Sequence, residues 1–228
     1  MHHINITRIK AVHHALRELG NEVVFVGGAT VSLYSDTSVD DARPTDDVDI
    51  LVEVANRFGY FNIEEKLRER GFVNDSQSGV ICRYEVQGIT VDVMPTSPDI
   101  LGFSNVWYKD GFATSTEYEI PGGPTINIFR PEYLLATKLE AFKSRGQGDG
   151  RTSNDFSDIV FVLNNRTVIW EELKKAKPEI RDYLRKEFKR LSETEYFDEW
   201  LEAHLDYKDK PRQVFILTSL EQFLNTDL

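Results

Sequence analysis

One stretch of the chain, residues 23–54, joins an apolar strand, a glycine pair and a second strand that is crowded with carboxylates. The segment VVFV predicts a buried strand, and Gly27-Gly28 predicts a tight turn into a short helix-like segment. The second predicted strand opens on three acids: Asp46, Asp47 and Asp49. Aspartate is depleted in strands, and neighbouring like charges repel each other. A bound divalent cation is the simplest partner that makes this arrangement favourable.

The alternation of side chains along a strand separates these acids by direction. Asp47 and Asp49 share one face, while the apolar residues Val48, Ile50 and Val52 take the other. Two carboxylates that project together are oxygen donors for a hard cation such as Mg²⁺. Asp46 points away from the pair and is expected to be dispensable. The alternative reading of an isolated D-x-D pattern is a solvated strand end.

A third carboxylate comes from a later pair of predicted strands, residues 80–86 and 89–94, joined at Gln87-Gly88 in a hairpin-like turn. Asp92 is the single charge in its β-branched strand, and a buried unpaired carboxylate is costly. If this strand lies beside the strand of Asp47, the three carboxylates converge on one point. The alternative is an edge-strand aspartate that faces water.

The glycine pair is a candidate anion site, because a strand-to-helix turn at glycines leaves backbone N–H groups free to bind phosphate. Gly27-Gly28 matches neither the G-x-G-x-x-G dinucleotide motif nor the P-loop. By itself the pair is more often only a tight turn. Thr30 offers the nearest hydroxyl.

Helical patterns replace strands from Pro131 onward, so two domains are expected, at residues 1–128 and 129–228. On the first of these helices Lys138 lies next to the apolar stripe. A lysine there either extends to water or meets a fixed anion. The next predicted helix places Asp155 and Asp158 one turn apart.

Composition narrows the class of protein. The formal net charge of −11 argues against bulk electrostatic capture of nucleic acid, although the segment from Lys174 to Arg190 is locally basic. Its Arg181, Arg185 and Lys189 are expected to share a helix face, as a solvated surface or as an RNA contact. The single cysteine, Cys82, excludes a disulfide within the chain and is expected to be an inert core thiol. With no apolar run long enough for a membrane span and no apolar signal core, the chain is expected in the cytoplasm.

The motifs together resemble those of a known superfamily. Gly27-Gly28, followed by Arg43-x-Thr45-x-Asp47-Val48-Asp49, is similar to the signature of the polymerase-β-like nucleotidyltransferases, and the closest branch looks like the AbiEii/AbiGii toxins. KLEAFKSR, from Lys138 to Arg145, and the later run Arg151-x-x-x-Asp155-x-x-Asp158 also fit this family. The chain departs from the pattern in having Gly-Gly where Gly-Ser is usual, so that no serine hydroxyl faces the phosphate.

The resemblance implies an α+β fold, with a nucleotidyltransferase-type mixed β-sheet, flanking helices and a helical C-terminal domain that completes the nucleotide site. It also implies the site chemistry. Asp47 and Asp49 would hold Mg²⁺ (or Mn²⁺) with a nucleoside triphosphate, and Asp92 would complete a second metal site and help to deprotonate the acceptor. The residues expected to bind the nucleotide are Gly27, Gly28, Thr30, Lys138 and Asp155. For Asp155, an ion pair with Arg151 is the competing expectation.

Three functions remain open at this stage. The first is transfer of a nucleotide to an RNA end, perhaps of tRNA, by a toxin that a separate antitoxin holds in check. The second is transfer to a small hydroxylated molecule such as an antibiotic, and the third is a catalytically silent nucleotide-binding relative. The basic segment favours the first function and the overall acidity favours the second. The retained Asp47, Asp49 and Asp92 count against the third.

Overall fold

The computed structural model describes residues 3–37, 42–146, 148–205 and 210–225, with backbone only for His3. The sequence predicts a loop over residues 36–45, of which residues 38–41 lie outside the described part. The chain divides into two compact units, one of Met1–Ser32 with Arg43–Arg130 and one of Leu33–Ala42 with Pro131–Leu228.

The first unit is built on a mixed sheet, which in the described part of the chain has seven strands in the order β3-β4-β5-β2-β1-β7-β6. The strands are β1 Val23–Val26, β2 Asp47–Val52, β3 Val73–Asn74, β4 Arg83–Val86, β5 Ile89–Pro95, β6 Thr116–Glu119 and β7 Thr125–Ile128. β2 runs parallel to β5 and antiparallel to β1, and β1 runs parallel to β7. The predicted mixed sheet with flanking helices is confirmed.

The helices of this unit are α1 His3–Leu16, α2 Arg57–Glu69, α3 Pro98–Leu101 and α4 Tyr108–Ala113, with 3-10 turns at Arg17–Asn21 and from Gly28. Asn56 caps α2, since its side chain accepts from the backbone of Gly59. α2 packs on the apolar face of the sheet, where Tyr84 donates to Glu64 at 2.8 Å. Val48, Ile50, Val91 and Val93 on that face are fully buried.

The sequence predicts a loop-rich region from Pro95 to Arg130, and the structure shows two strands within it. β6 and β7 form a hairpin around the turn at Pro121–Pro124, and β7 pairs with β1 through Val24–Asn127 and Phe25–Ile128. These two strands were not predicted, because β1, the strand that pairs with β7, lies about a hundred residues earlier in the chain and no local pattern indicates that pairing.

The second unit is helical: α5 Pro131–Arg145, α6 Asn154–Asn165, α7 Ile169–Lys175, α8 Pro178–Ser192, α9 Phe197–Glu202 and α10 Lys210–Asn225. Pro178 occupies the first turn of α8, where its missing N–H is no loss. Aromatic rings of α5, α6 and α9 form one cluster, in which Phe156 lies 5.4 Å from Phe142 and 5.7 Å from Trp200 between ring centroids. Within the described residues, no helix is both long and apolar enough to cross a bilayer.

Candidate active site

Three strands of the first unit bring a row of charged side chains onto one face of the sheet. Asp49 on β2 lies opposite Asp92 on β5, and Asp92 lies opposite Arg83 on β4. Register partners point to the same face, as does Asp47, two residues before Asp49. We call Asp47, Asp49, Asp92 and Arg83 the aspartate face. The predicted adjacency of the two acidic strands is therefore present.

Asp92 is not an unpaired carboxylate. Arg83 donates to both of its oxygens, Nε to Oδ1 and Nη2 to Oδ2, each at 2.8 Å. The same Nη2 lies 3.6 Å from Oδ2 of Asp47. The side chain of Asp92 is 12% exposed and that of Asp47 is 38% exposed. Hydrogen bonding to Asp92 raises the pKa of the Arg83 guanidinium, which is therefore permanently charged.

Gly27 makes room for Asp49. Val26, the residue before Gly27, lies opposite Asp49 in the antiparallel pair of β1 and β2. Gly27 has φ of +73°, and a Cβ added there would overlap Oδ2 of Asp49 and lie 2.7 Å from its Cγ. Only glycine satisfies both conditions, so this residue fixes where the Asp49 carboxylate lies.

Gly28 is enclosed by the exit of the loop that leads into β2. A Cβ at Gly28 would lie 2.7 Å from Nη2 of Arg43 and 2.8 Å from Cγ2 of Thr45. The buried side chain of Asn5 holds this loop exit, donating to the Arg43 carbonyl at 2.9 Å and accepting from the Thr45 amide at 3.0 Å. The glycine pair thus lies beside a positively charged guanidinium as well as beside Asp49.

Thr30 has a structural contact in the same turn. Its side chain is fully buried, and its hydroxyl donates to the Gly27 carbonyl at 3.0 Å. The hydroxyl proton is therefore used within the turn. A contact between Thr30 and a phosphate stays a prediction.

The three carboxylates of the aspartate face are not equally suited to binding a divalent cation. Asp47 and Asp49 offer two carboxylates from one face of one strand, which is a donor set suited to Mg²⁺. Both oxygens of Asp92 already accept hydrogen bonds from Arg83. Among the described residues, no group of three or more His, Cys, Asp or Glu side chains is arranged to hold a metal ion. The residues present fit one cation at Asp47 and Asp49.

In the second unit, Lys138 meets fixed anions, which was one of the two alternatives predicted for it. Its Nζ lies 2.6 Å from Asp158 Oδ2 and 3.2 Å from Asp155 Oδ1. All three side chains are at most 7% exposed. Arg145 completes this buried charge cluster by a bidentate contact with Asp155 at 2.7 and 2.9 Å. Burial alone would raise the pKa of Asp155, but Arg145 and Lys138 outweigh that effect and lower it.

The expected ion pair between Asp155 and Arg151 is wrong. Arg151 instead contacts Asp149 at 3.0 Å and Glu199 at 3.6 Å. α6 begins at Asn154, capped by Ser153. Because Arg151 precedes the helix, a four-residue spacing does not bring it next to Asp155.

The basic segment from Lys174 to Arg190 makes contacts within the second unit that the sequence does not predict. Arg181 donates to the Lys174 carbonyl at 3.3 Å, and Arg185 donates to the Phe223 carbonyl at 3.2 Å while its guanidinium lies over the Phe223 ring. Both arginines therefore hold helices of the second unit together. Of the three residues predicted to share a helix face, Lys189 is exposed on α8, as is the nearby Lys186, and an RNA contact there stays a prediction.

The fold is that of a nucleotidyltransferase. A solved structure similar to this chain is that of an antigenic nucleotidyltransferase-like protein from Paracoccidioides brasiliensis, with 21% identity and a TM-score of 0.52 over 89% of this chain and 94% of that chain. No curated protein was found to match the sequence. The family model described as nucleotidyl transferase AbiEii toxin, type IV toxin–antitoxin system, matches residues 12–224. The chain belongs to this AbiEii family of nucleotidyltransferase toxins, as its motifs predicted.

Proposed function

We propose that the protein is a Mg²⁺-dependent toxin that transfers a nucleoside monophosphate from a nucleoside triphosphate to a hydroxyl at an RNA end, with tRNA as the expected acceptor. One observation carries the proposal. Asp47 and Asp49 project from one face of β2, beside a glycine turn whose first residue leaves space for the Asp49 carboxylate. Membership of the AbiEii family supports the reaction class.

The residues of the first unit have distinct roles in this proposal. Asp47 and Asp49 hold the divalent cation, which supplies charge neutralisation to the triphosphate when bound. The backbone at Gly27 and Gly28 binds phosphate oxygens, and Arg43, next to Gly28, adds positive charge. These groups are fixed before substrate binds, because Asn5 and Thr30 hold the loop exit and the turn.

Lys138 and Asp155 belong to a cluster that has a structural function of its own. The lysine charge is balanced by two buried carboxylates. A role for either residue in binding the nucleotide stays a prediction. Any test of that role has to separate it from the loss of the ion pairs.

The acceptor is inferred from charge. The exposed Lys186 and Lys189 support an RNA, since phosphate contacts dominate nucleic-acid affinity. The net charge of −11 supports the second candidate, a small hydroxylated molecule. An antitoxin protein is the further partner expected of a member of this family.

One incubation distinguishes the acceptors. The protein is mixed with each α-labelled triphosphate, Mg²⁺ and total cellular RNA, and the products are separated by size. We expect label on RNA of tRNA size with the wild type and none with Asp49→Asn. Label confined to small molecules added in place of RNA would overturn the RNA assignment but keep the transferase.

The RNA surface has its own test. The double variant Lys186→Glu/Lys189→Glu should weaken RNA binding about tenfold or more and flatten its dependence on salt. Lys66→Glu/Lys109→Glu changes the net charge equally from exposed positions on α2 and α4 and serves as the control. Equal effects of the two double variants would mean that only net charge matters.

A further inference from the structure

The most unexpected group on the aspartate face is a cation of the protein itself. Arg83 lies opposite Asp92 on the neighbouring strand and binds both oxygens of that carboxylate at 2.8 Å. Its Nη2 also lies 3.6 Å from Asp47. The guanidinium therefore contacts two of the three aspartates that the sequence assigns to metal ions.

The register of the hairpin between β4 and β5 sets the position of Arg83, so the position does not depend on the flexible side chain alone. The hairpin between β4 and β5 turns at Gln87 and Gly88, both with left-handed φ, of +52° and +74°. This two-residue turn pairs Val86 with Ile89 and so places Arg83 opposite Asp92. The planar guanidinium fork matches a carboxylate in a way that an ammonium does not.

Charge balance favours one divalent ion on this face. The Arg83 guanidinium offsets part of the negative charge of the three carboxylates, so less charge is left to attract a second divalent ion. A second ion at Asp92 would have to displace a guanidinium that makes two short hydrogen bonds. Removing one partner from a pair that is largely shielded from water is strongly unfavourable.

We propose that Arg83 acts as the second cation of the aspartate face, so that the site takes one divalent ion, at Asp47 and Asp49, and Asp92 positions Arg83 without binding metal. The guanidinium then presents a fixed positive charge to the triphosphate. This inference rests on the proposed nucleotidyl transfer. It replaces the expected role of Asp92 as a metal ligand with a positioning role.

The test counts bound Mn²⁺ directly, by electron paramagnetic resonance of free Mn²⁺ and by calorimetry, on the full chain with and without a non-hydrolysable triphosphate. The wild type should bind one ion. Asp49→Asn should lose at least tenfold in Mn²⁺ affinity, whereas Asp92→Asn should change it less than threefold. Arg83→Gln should bind Mn²⁺ about tenfold more tightly or take a second ion, because it frees the Asp92 carboxylate.

Further variants distinguish a direct effect on Mn²⁺ binding from a failure to fold. Arg83→Lys should retain a stoichiometry of one, since it keeps the charge, and the double variant Arg83→Gln/Asp92→Asn removes both charges together. Glu85→Gln, an exposed acid two residues from Arg83 on the same strand, is the matched control and should leave Mn²⁺ binding unchanged. Circular dichroism and thermal melting identify any variant that does not fold.

The outcomes separate this inference from the proposed function. Two Mn²⁺ ions on the wild type, or a loss in Asp92→Asn as large as in Asp49→Asn, would overturn the role of Arg83 and leave the transferase intact. The absence of Mn²⁺ binding to the wild type, or full binding to Asp49→Asn, would instead overturn the metal-dependent function itself.

Discussion

Asp49 lies directly opposite Asp92 in the parallel pair of β2 and β5, yet the two carboxylates have different surroundings. Asp49 lies against the backbone of Gly27, while Asp92 is bound by Arg83. Two acids at equivalent places on one face therefore have different chemistry available to them. Asp49 is the better candidate for a metal ligand.

Gly27→Ala should destabilise the protein and displace Asp49. A residue with a side chain is strained at φ of +73°, and the added methyl would overlap the Asp49 carboxylate. We expect a loss of about 2–4 kcal/mol in the free energy of unfolding, measured with urea. Nucleotide transfer should fall with it.

Gly79→Ala is the control, since Gly79 has φ of +71° but nothing within 4 Å of an added Cβ. Gly79→Ala has the same backbone strain but no overlap with another side chain, so its free energy of unfolding should fall by only about 1 kcal/mol. Equal losses of stability in the two variants would show that the Asp49 carboxylate does not lie against Gly27.

Lys138→Met should destabilise the second unit by about 3–5 kcal/mol, because it removes the lysine charge from two carboxylates that are almost fully buried. Lys174→Met, on α7, removes a lysine whose partner Glu171 is 62% exposed, and it should lower the free energy of unfolding by less than about 1 kcal/mol. Urea unfolding measures both. Similar values for the two variants would contradict a structural role for the buried charge cluster.

Acid should weaken the second unit through Asp155. Its pKa is lowered below the ordinary 3.8 in the folded protein, so the stabilising contribution is complete above that pH and is lost as the pH falls through the folded value. The stability difference between wild type and Asp155→Asn should therefore shrink between pH 5 and pH 3. Asp182→Asn, at an exposed position of α8, removes one carboxylate outside the buried charge cluster and serves as the control for the change in net charge.

Cys82 should be unreactive in the native protein. Cys82 is 2% exposed, and burial, followed by the charge of Asp92, raises the pKa of its thiol to about 11. Labelling with an aromatic disulfide at pH 7.5 should be slow without denaturant and fast in urea. Fast native labelling would mean that the segment just before β4, which contains Cys82, opens readily.

Much of the site could be predicted because it depends on local rules. Alternation along one strand places Asp47 with Asp49, and a glycine pair after an apolar strand marks the turn. Arg83 was missed, although the hairpin gave a usable signal. A two-residue turn at Gln87-Gly88 determines every pair of the ladder, and counting back three residues on each side gives Arg83 opposite Asp92.

Other features depend on contacts distant in sequence and could not be predicted in the same way. The pairing of β7 with β1 is one of these. Which anions Lys138 meets is another, since the sequence required only that some anion or water be present. The helical spacing indicated that Arg181 and Arg185 share a face. It gave no indication that α10 supplies the carbonyl and the ring of Phe223 that Arg185 contacts.

The central claim, that Asp47 and Asp49 carry nucleotide transfer, is tested most directly by measuring transfer of label from an α-labelled triphosphate to RNA in the single variants Asp46→Asn, Asp47→Asn and Asp49→Asn. Asp46 is exposed and precedes β2, so its variant controls for the loss of one nearby charge. We predict that Asp46→Asn keeps at least half of the wild-type rate and that the other two fall at least a hundredfold while remaining folded. Transfer at the wild-type rate by Asp47→Asn or Asp49→Asn would contradict the account.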